Sequence, residues 1–146
     1  MASAFSAIHG SRLDTYVKLL CPVHKGHRGG YRVEQYLMER DGRLVFALGL
    51  NYWAREAGPL MWQRWQPDKV RAEIAHMRAI GCNACRAFLY TPDFAPEPGT
   101  LAPEMLRRLD QFLGYCAEVD LGVFLTLLVG HMSGENWHPT WLRGRD

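Results

Sequence analysis

The sequence predicts an α/β fold in which parallel strands alternate with helices. Three apolar runs of strand length are separated by two amphipathic segments. The pair Asp41–Gly42, which lies between two β-prone stretches before these units, is a strong hairpin signal. Alternation of strands and helices favours parallel βαβ units with right-handed crossovers. We therefore expect a β-hairpin, then two strand–loop–helix units, then a third strand and its loop.

The three predicted strands are the most apolar parts of the chain. They lie in LVFALGLNYW (residues 44–53), CNACRAFLY (82–90) and VFLTLLVG (123–130). The first continues the second arm of the hairpin and is almost wholly apolar up to Asn51. Strands that are apolar on both faces are expected in a parallel sheet that helices cover. The first strand is accordingly expected to be buried.

Two helices are expected between the strands. The first lies in PDKVRAEIAHMRAIG, where Pro67 suits the start of a helix and Gly81 its end. The second lies in LAPEMLRRLDQFLGYCAEVDLG, with Pro103 near its first turn. Apolar residues recur at helical spacing in both segments. They are Val70, Ile74, Met77 and Ile80 in the first, and Met105, Leu109, Phe112, Leu113 and Cys116 in the second.

The connecting loops are unequal in length and composition. Loops after strands are long and carry Trp, Asn, Asp, His and Glu, whereas the turns after helices, AIG and DLG, are short. This is the layout of a (β/α) barrel, whose active site is built from loops at the carboxyl ends of the strands. An open doubly wound sheet follows the same rule. No G-x-G-x-x-G follows any strand, so a dinucleotide site has little support.

Composition indicates one modest globular domain. The chain has 146 residues, of which 48% are apolar and 22% charged, and this balance argues against disorder over most of its length. The net charge of +2 comes from scattered residues, so no nucleic-acid partner is expected. No apolar run approaches a membrane span and the N-terminus is a poor secretory signal, which favours the cytoplasm, or secretion if the true N-terminus differs. Residues 1–30 are expected to be an irregular segment or linker before a barrel part at 31–146.

The four cysteines, Cys21, Cys82, Cys85 and Cys116, are too few for a disulfide scaffold. The C-x-x-C of Cys82 and Cys85 falls in a predicted strand, which would place the two side chains on opposite faces. No second C-x-x-C or close histidine pair completes a zinc site. We interpret the cysteines as buried structural thiols and expect no metal or other cofactor.

A polar residue marks the end of each predicted strand. Asn51 lies at the end of the first, Arg86 near the end of the second, and His131 closes the third. An arginine in an apolar strand is costly to bury unless it is paired or faces a solvated site. Each of the three residues has a purely structural alternative. Asn51 could form a turn, Arg86 could pair with a carboxylate, and His131 could be a core histidine whose hydrogen bonds are satisfied. Their equivalent positions in the three units favour a shared site.

Aromatic residues give a second indication of a site. All five tryptophans lie at strand ends or in loops that follow strands, where flat rings suit the stacking of sugars. At least two of them are expected to cap the core instead. The segment VGHMSGENWHPTW (129–141) suits neither a helix nor a regular strand, and Trp137 in it is a candidate sugar platform. The five are Trp53, Trp62, Trp65, Trp137 and Trp141.

Three stretches in order, FALGLNYW (46–53), AEIAHMRAIGCNACRAFLYTPDFAPEPG (72–99) and FLTLLVGHMSGENWHPTW (124–141), carry a family resemblance. Together they resemble the start of glycoside hydrolase family 5 and its relatives in the same clan, which includes cellulases and β-mannanases. The resemblance covers roughly Arg32 to Trp141. It implies the first three βα units of a (β/α)8 TIM barrel, preceded by a β-hairpin that closes the bottom of the barrel.

The resemblance also implies a function: O-glycosyl hydrolysis of a β-linked polysaccharide or oligosaccharide, of β-mannan or β-glucan type. In the family, two glutamates at the ends of strands four and seven act with retention. Arg86 matches the arginine that supports the nucleophile, and His131 resembles the histidine after strand three. The substrate-binding residues indicated are Asn51, Tyr52, Trp53, Arg86, His131 and Trp137.

Neither family glutamate has a counterpart in these 146 residues. Glu135 precedes Asn136, but it lies one unit too early and in reversed order, so we interpret it as a rim residue. The 146-residue chain is therefore expected to be the N-terminal part of such an enzyme and inactive alone. The alternatives are a non-catalytic carbohydrate-binding protein and a metal-dependent barrel hydrolase that uses His131 and His138.

Overall fold

The computed structural model describes residues 37–40, 43–132, 135–136 and 138–142. The predicted N-terminal segment, residues 1–30, and Cys21 within it lie outside the described residues. A short 3-10 turn covers Thr140–Leu142. The other elements, in chain order, are β1 (Leu37–Arg40), β2 (Arg43–Phe46), β3 (Gly49–Asn51), α1 (Pro67–Ala79), β4 (Ala84–Tyr90), α2 (Thr91–Phe94), α3 (Pro103–Glu118), β5 (Gly122–Val129), β6 (His131–Met132) and β7 (Glu135–Asn136).

A parallel three-stranded sheet is the centre of the fold. Its strand order is β3-β4-β5, and both pairings are parallel. The predicted hairpin is also present, because β1 pairs antiparallel with β2 in a register that places Arg40 opposite Arg43. Asp41 and Gly42, which join these strands, lie outside the described residues. The predicted α/β order of a hairpin followed by strands alternating with helices is confirmed.

Both predicted helices are present and begin at the predicted prolines. Pro67 and Pro103 start α1 and α3, where the missing N–H of proline leaves no helix hydrogen bond unmade. Gly81 follows α1 with φ of 97°, a left-handed conformation that glycine adopts at little cost. The expectation that Ile80 belongs to the helical spacing of this segment is wrong: it lies past the last helical residue and is 58% exposed.

The helices pack on one face of the sheet and enclose an aromatic core. The buried positions of α1 are Val70, Ile74 and Met77, and those of α3 are Leu109, Phe112, Leu113 and Cys116. The indole of Trp62 is fully buried, and its N–H donates to the carbonyl oxygen of Phe88 at 2.7 Å. No helix in the described ranges has the length and apolar content needed to cross a membrane.

The first predicted strand differs from the observed structure in two ways. The run 44–53 is divided into β2 and β3, because Asn83 holds the chain between them. The Asn83 side chain accepts a hydrogen bond from the N–H of Leu48 and donates one to the carbonyl oxygen of Phe46, both at 2.8 Å. The strand β3 is also exposed rather than buried, with Leu50 48% exposed. It lies at the edge of the three described parallel strands, so only β4 flanks it.

Two short elements were not expected. The proline-rich loop after β4 begins with the four-residue helix α2, in which Pro92 occupies the first turn. The segment that follows β5 was predicted to contain no regular strand, but β6 and β7 pair there as a small antiparallel hairpin. Each is too short for hydrophobic periodicity to reveal it.

The cysteine interpretation is confirmed for the described residues, since Cys82, Cys85 and Cys116 are buried and free. The assignment of Cys82 to a strand is wrong, because β4 begins at Ala84. Cys85 of β4 contacts Cys116 of α3. Their side-chain hydrogen bond, together with burial, raises the pKa of the Cys116 thiol. The sheet and α3 therefore meet at two buried thiols.

Candidate functional site

The two faces of the parallel sheet have different surroundings. Successive side chains of a strand point to opposite faces, and residues in register share a face. Cys85 contacts α3, so its neighbour Arg86 points away from the helices. We call the side away from the helices the open face. Its residues are Gly49 and Asn51 of β3, Ala84, Arg86 and Phe88 of β4, and Gly122, Phe124 and Thr126 of β5.

Arg86 is the cationic residue of the open face. It is exposed, and its Nε donates to the Oγ1 of Thr126 at 2.7 Å. Its guanidinium carbon lies 4.9 Å from the centroid of the Phe88 ring, a cation–π distance. Within the described ranges no carboxylate forms an ion pair with Arg86, so the structural alternative of a paired arginine is not found there. A neutral hydroxyl and an aromatic face orient the guanidinium.

Asn51 lies beside Arg86, directly in register with it across β3 and β4. Both side chains border a groove of about 280 Å³. Gly49 makes this close strand pairing possible, because a Cβ at that position would overlap the carbonyl oxygen of Ala84. The groove is lined by Ala47, Gly49, Leu50, Asn51, Ala84, Cys85, Arg86 and Phe124.

Trp53 contacts Phe88, the same aromatic residue that the Arg86 guanidinium contacts. Its ring meets that of Phe88 edge-on, with 5.8 Å between centroids and 67° between planes. The indole N–H of Trp53 is buried and has no hydrogen-bond partner in the described part of the chain. Trp53 and the Arg86 guanidinium therefore contact the same Phe88 ring near the carboxyl end of β4.

Tyr52 does not join this group. It is buried, with its ring stacked on Phe112 at 5.8 Å and 15° between planes. Its hydroxyl donates to Oε2 of Glu73 at 2.7 Å. Burial, and then the Glu73 carboxylate, raise the pKa of Tyr52. The placement expected for Tyr52 beside the cleft is thus corrected to the helix side of the sheet.

His131 lies in the short hairpin that follows β5. It is exposed, and its Nδ1 is 2.8 Å from Oδ1 of Asn136, directly opposite in the β6–β7 register. The ring of His138 packs against Gly130, where a Cβ would lie 2.6 Å from its Cε1. Trp137 lies outside the described residues, so its predicted role stays a prediction.

Three of the other tryptophans have structural contacts. Trp62 and Trp65 stack on each other at 5.7 Å, and Trp65 donates its indole N–H to Oε1 of Gln111. Trp141 donates to the carbonyl oxygen of Ala95 at 3.0 Å. The expectation that at least two tryptophans cap the core is confirmed, which leaves Trp53 as the described tryptophan beside the open face.

Sequence reasoning missed two residues around the site, Thr126 and Asn136. Thr126 is the polar member of the run VFLTLLVG, and strand alternation alone would have placed it on the face of Phe124. Asn136 gave no such signal, because its contact with His131 depends on the hairpin. Asp93 lies at the carboxyl end of β4, where burial raises its pKa and Gln63 donates to it at 2.7 Å. Among the described residues, no group of three or more metal-ligating side chains occurs.

Comparison with known proteins identifies similar solved structures. The exo-β-1,4-mannosidase Op5Man5 from Opitutaceae bacterium strain TAV5 matches with 34% identity and a TM-score of 0.71, over 77% of this chain and 20% of that one. GH5_18 from Streptomyces cattleya, in complex with Manβ1-4GlcNAc, matches with 28% identity and a TM-score of 0.61, over 64% of this chain and 22% of that one. A scan of protein-family models and a search of curated proteins gave no match.

A more distant structure shows the same fold. GH5_18 from Bifidobacterium longum subsp. longum ATCC 55813 is 19% identical, with a TM-score of 0.63 over 66% of this chain and 23% of that one. The chain thus spans about a fifth of the length of the structures that it matches. These structures are TIM barrels, and the described sheet supplies three parallel strands of such a barrel. The chain is therefore glycoside hydrolase family 5-like, with the fold of a partial (β/α)8 barrel.

Proposed function

We propose that the chain is part of a retaining glycoside hydrolase that acts on β-linked mannosides, and that its open face forms one wall of the substrate cleft. The observation that carries this proposal is the exposed Arg86, held by Thr126 and Phe88 beside Asn51 in a groove. Two similarities support the substrate class. One is the 34% identity to an exo-β-1,4-mannosidase, and the other is the match to GH5_18 in complex with Manβ1-4GlcNAc.

The retaining reaction requires two carboxyl groups about 5 Å apart, one as acid/base and one as nucleophile. The parallel strands β3, β4 and β5 contain neither Asp nor Glu. The proposal therefore assigns both carboxylates to positions outside these strands. In it, the described residues bind and orient, and they do not take part in covalent chemistry.

Five residues of the candidate site have a proposed contribution. The Nη groups of Arg86 would donate to the nucleophile carboxylate, keeping it ionised and oriented. The amide of Asn51 can both donate to and accept from sugar hydroxyls. The ring of Trp53 offers an aromatic surface at the end of β4. His131 and Trp137 would contact the substrate from the loop after β5.

Titration of the isotope-labelled 146-residue chain with Manβ1-4GlcNAc tests the proposal, with cellobiose as the comparison sugar. We expect weak binding that prefers the mannoside, with NMR shifts at the Asn51 amide, the Trp53 indole and the Arg86 guanidinium. A parallel assay with an aryl β-mannoside should detect no turnover by this chain alone. Binding of neither sugar, or shifts confined to the helix side, would contradict the assignment of the open face.

The main alternative is a non-catalytic carbohydrate-binding protein, which would use the groove beside Arg86 and Asn51 and needs no catalytic carboxylate. A chimera distinguishes the hydrolase from the binding protein. In this chimera the chain replaces the matched 20% of Op5Man5, and the same chimera with Arg86→Met is the control. A folded chimera that hydrolyses β-1,4-mannobiose, with the activity lost in the control, supports the hydrolase. A folded chimera that binds the disaccharide without cleaving it supports the alternative.

A further inference from the structure

The hairpin of β6 and β7 brings two polar side chains together at the carboxyl end of the sheet. His131 and Asn136 are directly opposite each other in the antiparallel register. The Nδ1 of the imidazole lies 2.8 Å from Oδ1 of the amide, and both residues are exposed. The contact therefore involves one ring nitrogen and leaves the other directed elsewhere.

The chemistry of this contact determines where the imidazole hydrogen resides. An amide oxygen only accepts hydrogen bonds, so Nδ1 of His131 must be the donor. In the neutral ring, Nε2 then carries no hydrogen and offers a lone pair. His131 consequently presents an acceptor, suited to the O–H of a sugar.

The backbone next to His131 is restrained from the other side of the loop. The imidazole of His138 occupies the space over Gly130, where any Cβ would lie 2.6 Å from Cε1 and 2.8 Å from Nδ1 of that ring. Pro139, which follows His138, is buried. Gly130 thus lets the returning chain pack against the residue that precedes His131.

We propose that Asn136 is a positioning residue that holds His131 in the Nδ1–H tautomer and directs its Nε2 to a hydroxyl of the bound sugar. The tautomer depends only on the contact between the two side chains. The sugar contact rests on the proposed function, and the two are tested separately.

The tautomer is measured by long-range ¹H–¹⁵N NMR of the histidine-labelled 146-residue chain above the pH at which its imidazoles are charged. We expect His131 to be mainly Nδ1–H in the parent, and Asn136→Leu to shift it to the Nε2–H form. Asn136→Asp keeps an acceptor and should keep the Nδ1–H form. The exposed His76 of α1 is the internal control and should not change. A parent His131 in the Nε2–H form, or no shift in Asn136→Leu, would overturn the proposal.

The sugar contact is measured by titrating Manβ1-4GlcNAc into the same proteins. Loss of one oriented acceptor should weaken binding by about 2- to 10-fold in Asn136→Leu, with Asn136→Asp close to the parent. The backbone amide spectrum of each variant confirms that it is folded. A changed tautomer with unchanged affinity would refute the positioning role. No binding by a parent with the expected tautomer would instead contradict the proposed function.

Discussion

The two faces of the β3-β4-β5 sheet come from the same strands but differ in what they contact. In β4, Cys85, Ala87 and Leu89 are buried on the helix side, while Arg86 on the open face is exposed. Because side chains alternate along a strand, neighbouring residues can serve packing and recognition independently. Substitutions of the buried helix-side residues should therefore reduce the free energy of unfolding, whereas substitution of the exposed Arg86 should mainly reduce binding.

The largest expected effect comes from comparing two phenylalanines. Phe112 of α3 is fully buried, and its ring contacts Tyr52 and Trp62. Phe112→Ala should lower the free energy of unfolding by about 3–5 kcal/mol, because it removes buried surface and leaves a cavity. Phe124→Ala, on the open face, should cost less than half as much. Urea unfolding of both variants measures the difference, and equal losses would contradict the distinction between the faces.

Two glycines on the open face give the next comparison. Gly49 and Gly122 flank Ala84 in the same row of the sheet. Gly49→Ala should cost about 1–3 kcal/mol or more, because its Cβ would overlap the backbone carbonyl of Ala84. Gly122→Ala should cost less, since its Cβ would lie 3.2 Å from the carbonyl oxygen of Asn83. If Gly49→Ala unfolds at the same urea concentration as Gly122→Ala, the strand pairing described for β3 is incorrect.

A smaller loss is expected for the hydroxyl of Tyr52. Tyr52→Phe removes its hydrogen bond to Glu73 and keeps the ring stacked on Phe112. The cost should be about 1 kcal/mol, a typical net value for one hydrogen bond. Tyr115→Phe is the matched control, since its ring contact with Arg71 does not involve the hydroxyl. Sugar affinity should be unchanged in both variants. Weaker binding by Tyr52→Phe would indicate that Tyr52 contacts the sugar, as the sequence had predicted.

The smallest effect is a pH dependence at Asp93. Burial raises the pKa of this carboxyl, so the folded chain binds the proton more tightly than the unfolded chain. The Asp93 contribution to the free energy of unfolding therefore falls as pH rises from the unfolded pKa through the folded one. Asp93→Asn keeps an acceptor for Gln63 without the charge, so its stability relative to the parent should be higher at pH 7 than at pH 3. Thermal unfolding at both pH values tests this, and the opposite trend would contradict it.

The sequence was informative wherever local pattern decided the structure. Pro67 and Pro103 at helix starts, and polar Asn51 and Arg86 in apolar strands, were visible in the residues themselves. Strand alternation, applied strictly, would also have predicted that Tyr52 and its neighbour Asn51 lie on different faces of the sheet. The break between β2 and β3 could not be predicted, because it depends on the Asn83 side chain, 35 residues from Leu48. The contact between His131 and Asn136 likewise depends on the pairing of β6 with β7.

Arg86→Met tests the central claim most directly, with Arg71→Met as control, because Arg71 is an exposed arginine of α1 that pairs with Glu118. The free energy of unfolding and the affinity for Manβ1-4GlcNAc are measured on each variant. We expect Arg86→Met to change stability by no more than about 0.5 kcal/mol, as at other exposed sites, and to abolish detectable binding, while Arg71→Met binds like the parent. Unchanged binding by Arg86→Met, or a stability loss as large as that of Phe112→Ala, would contradict a recognition role for the open face.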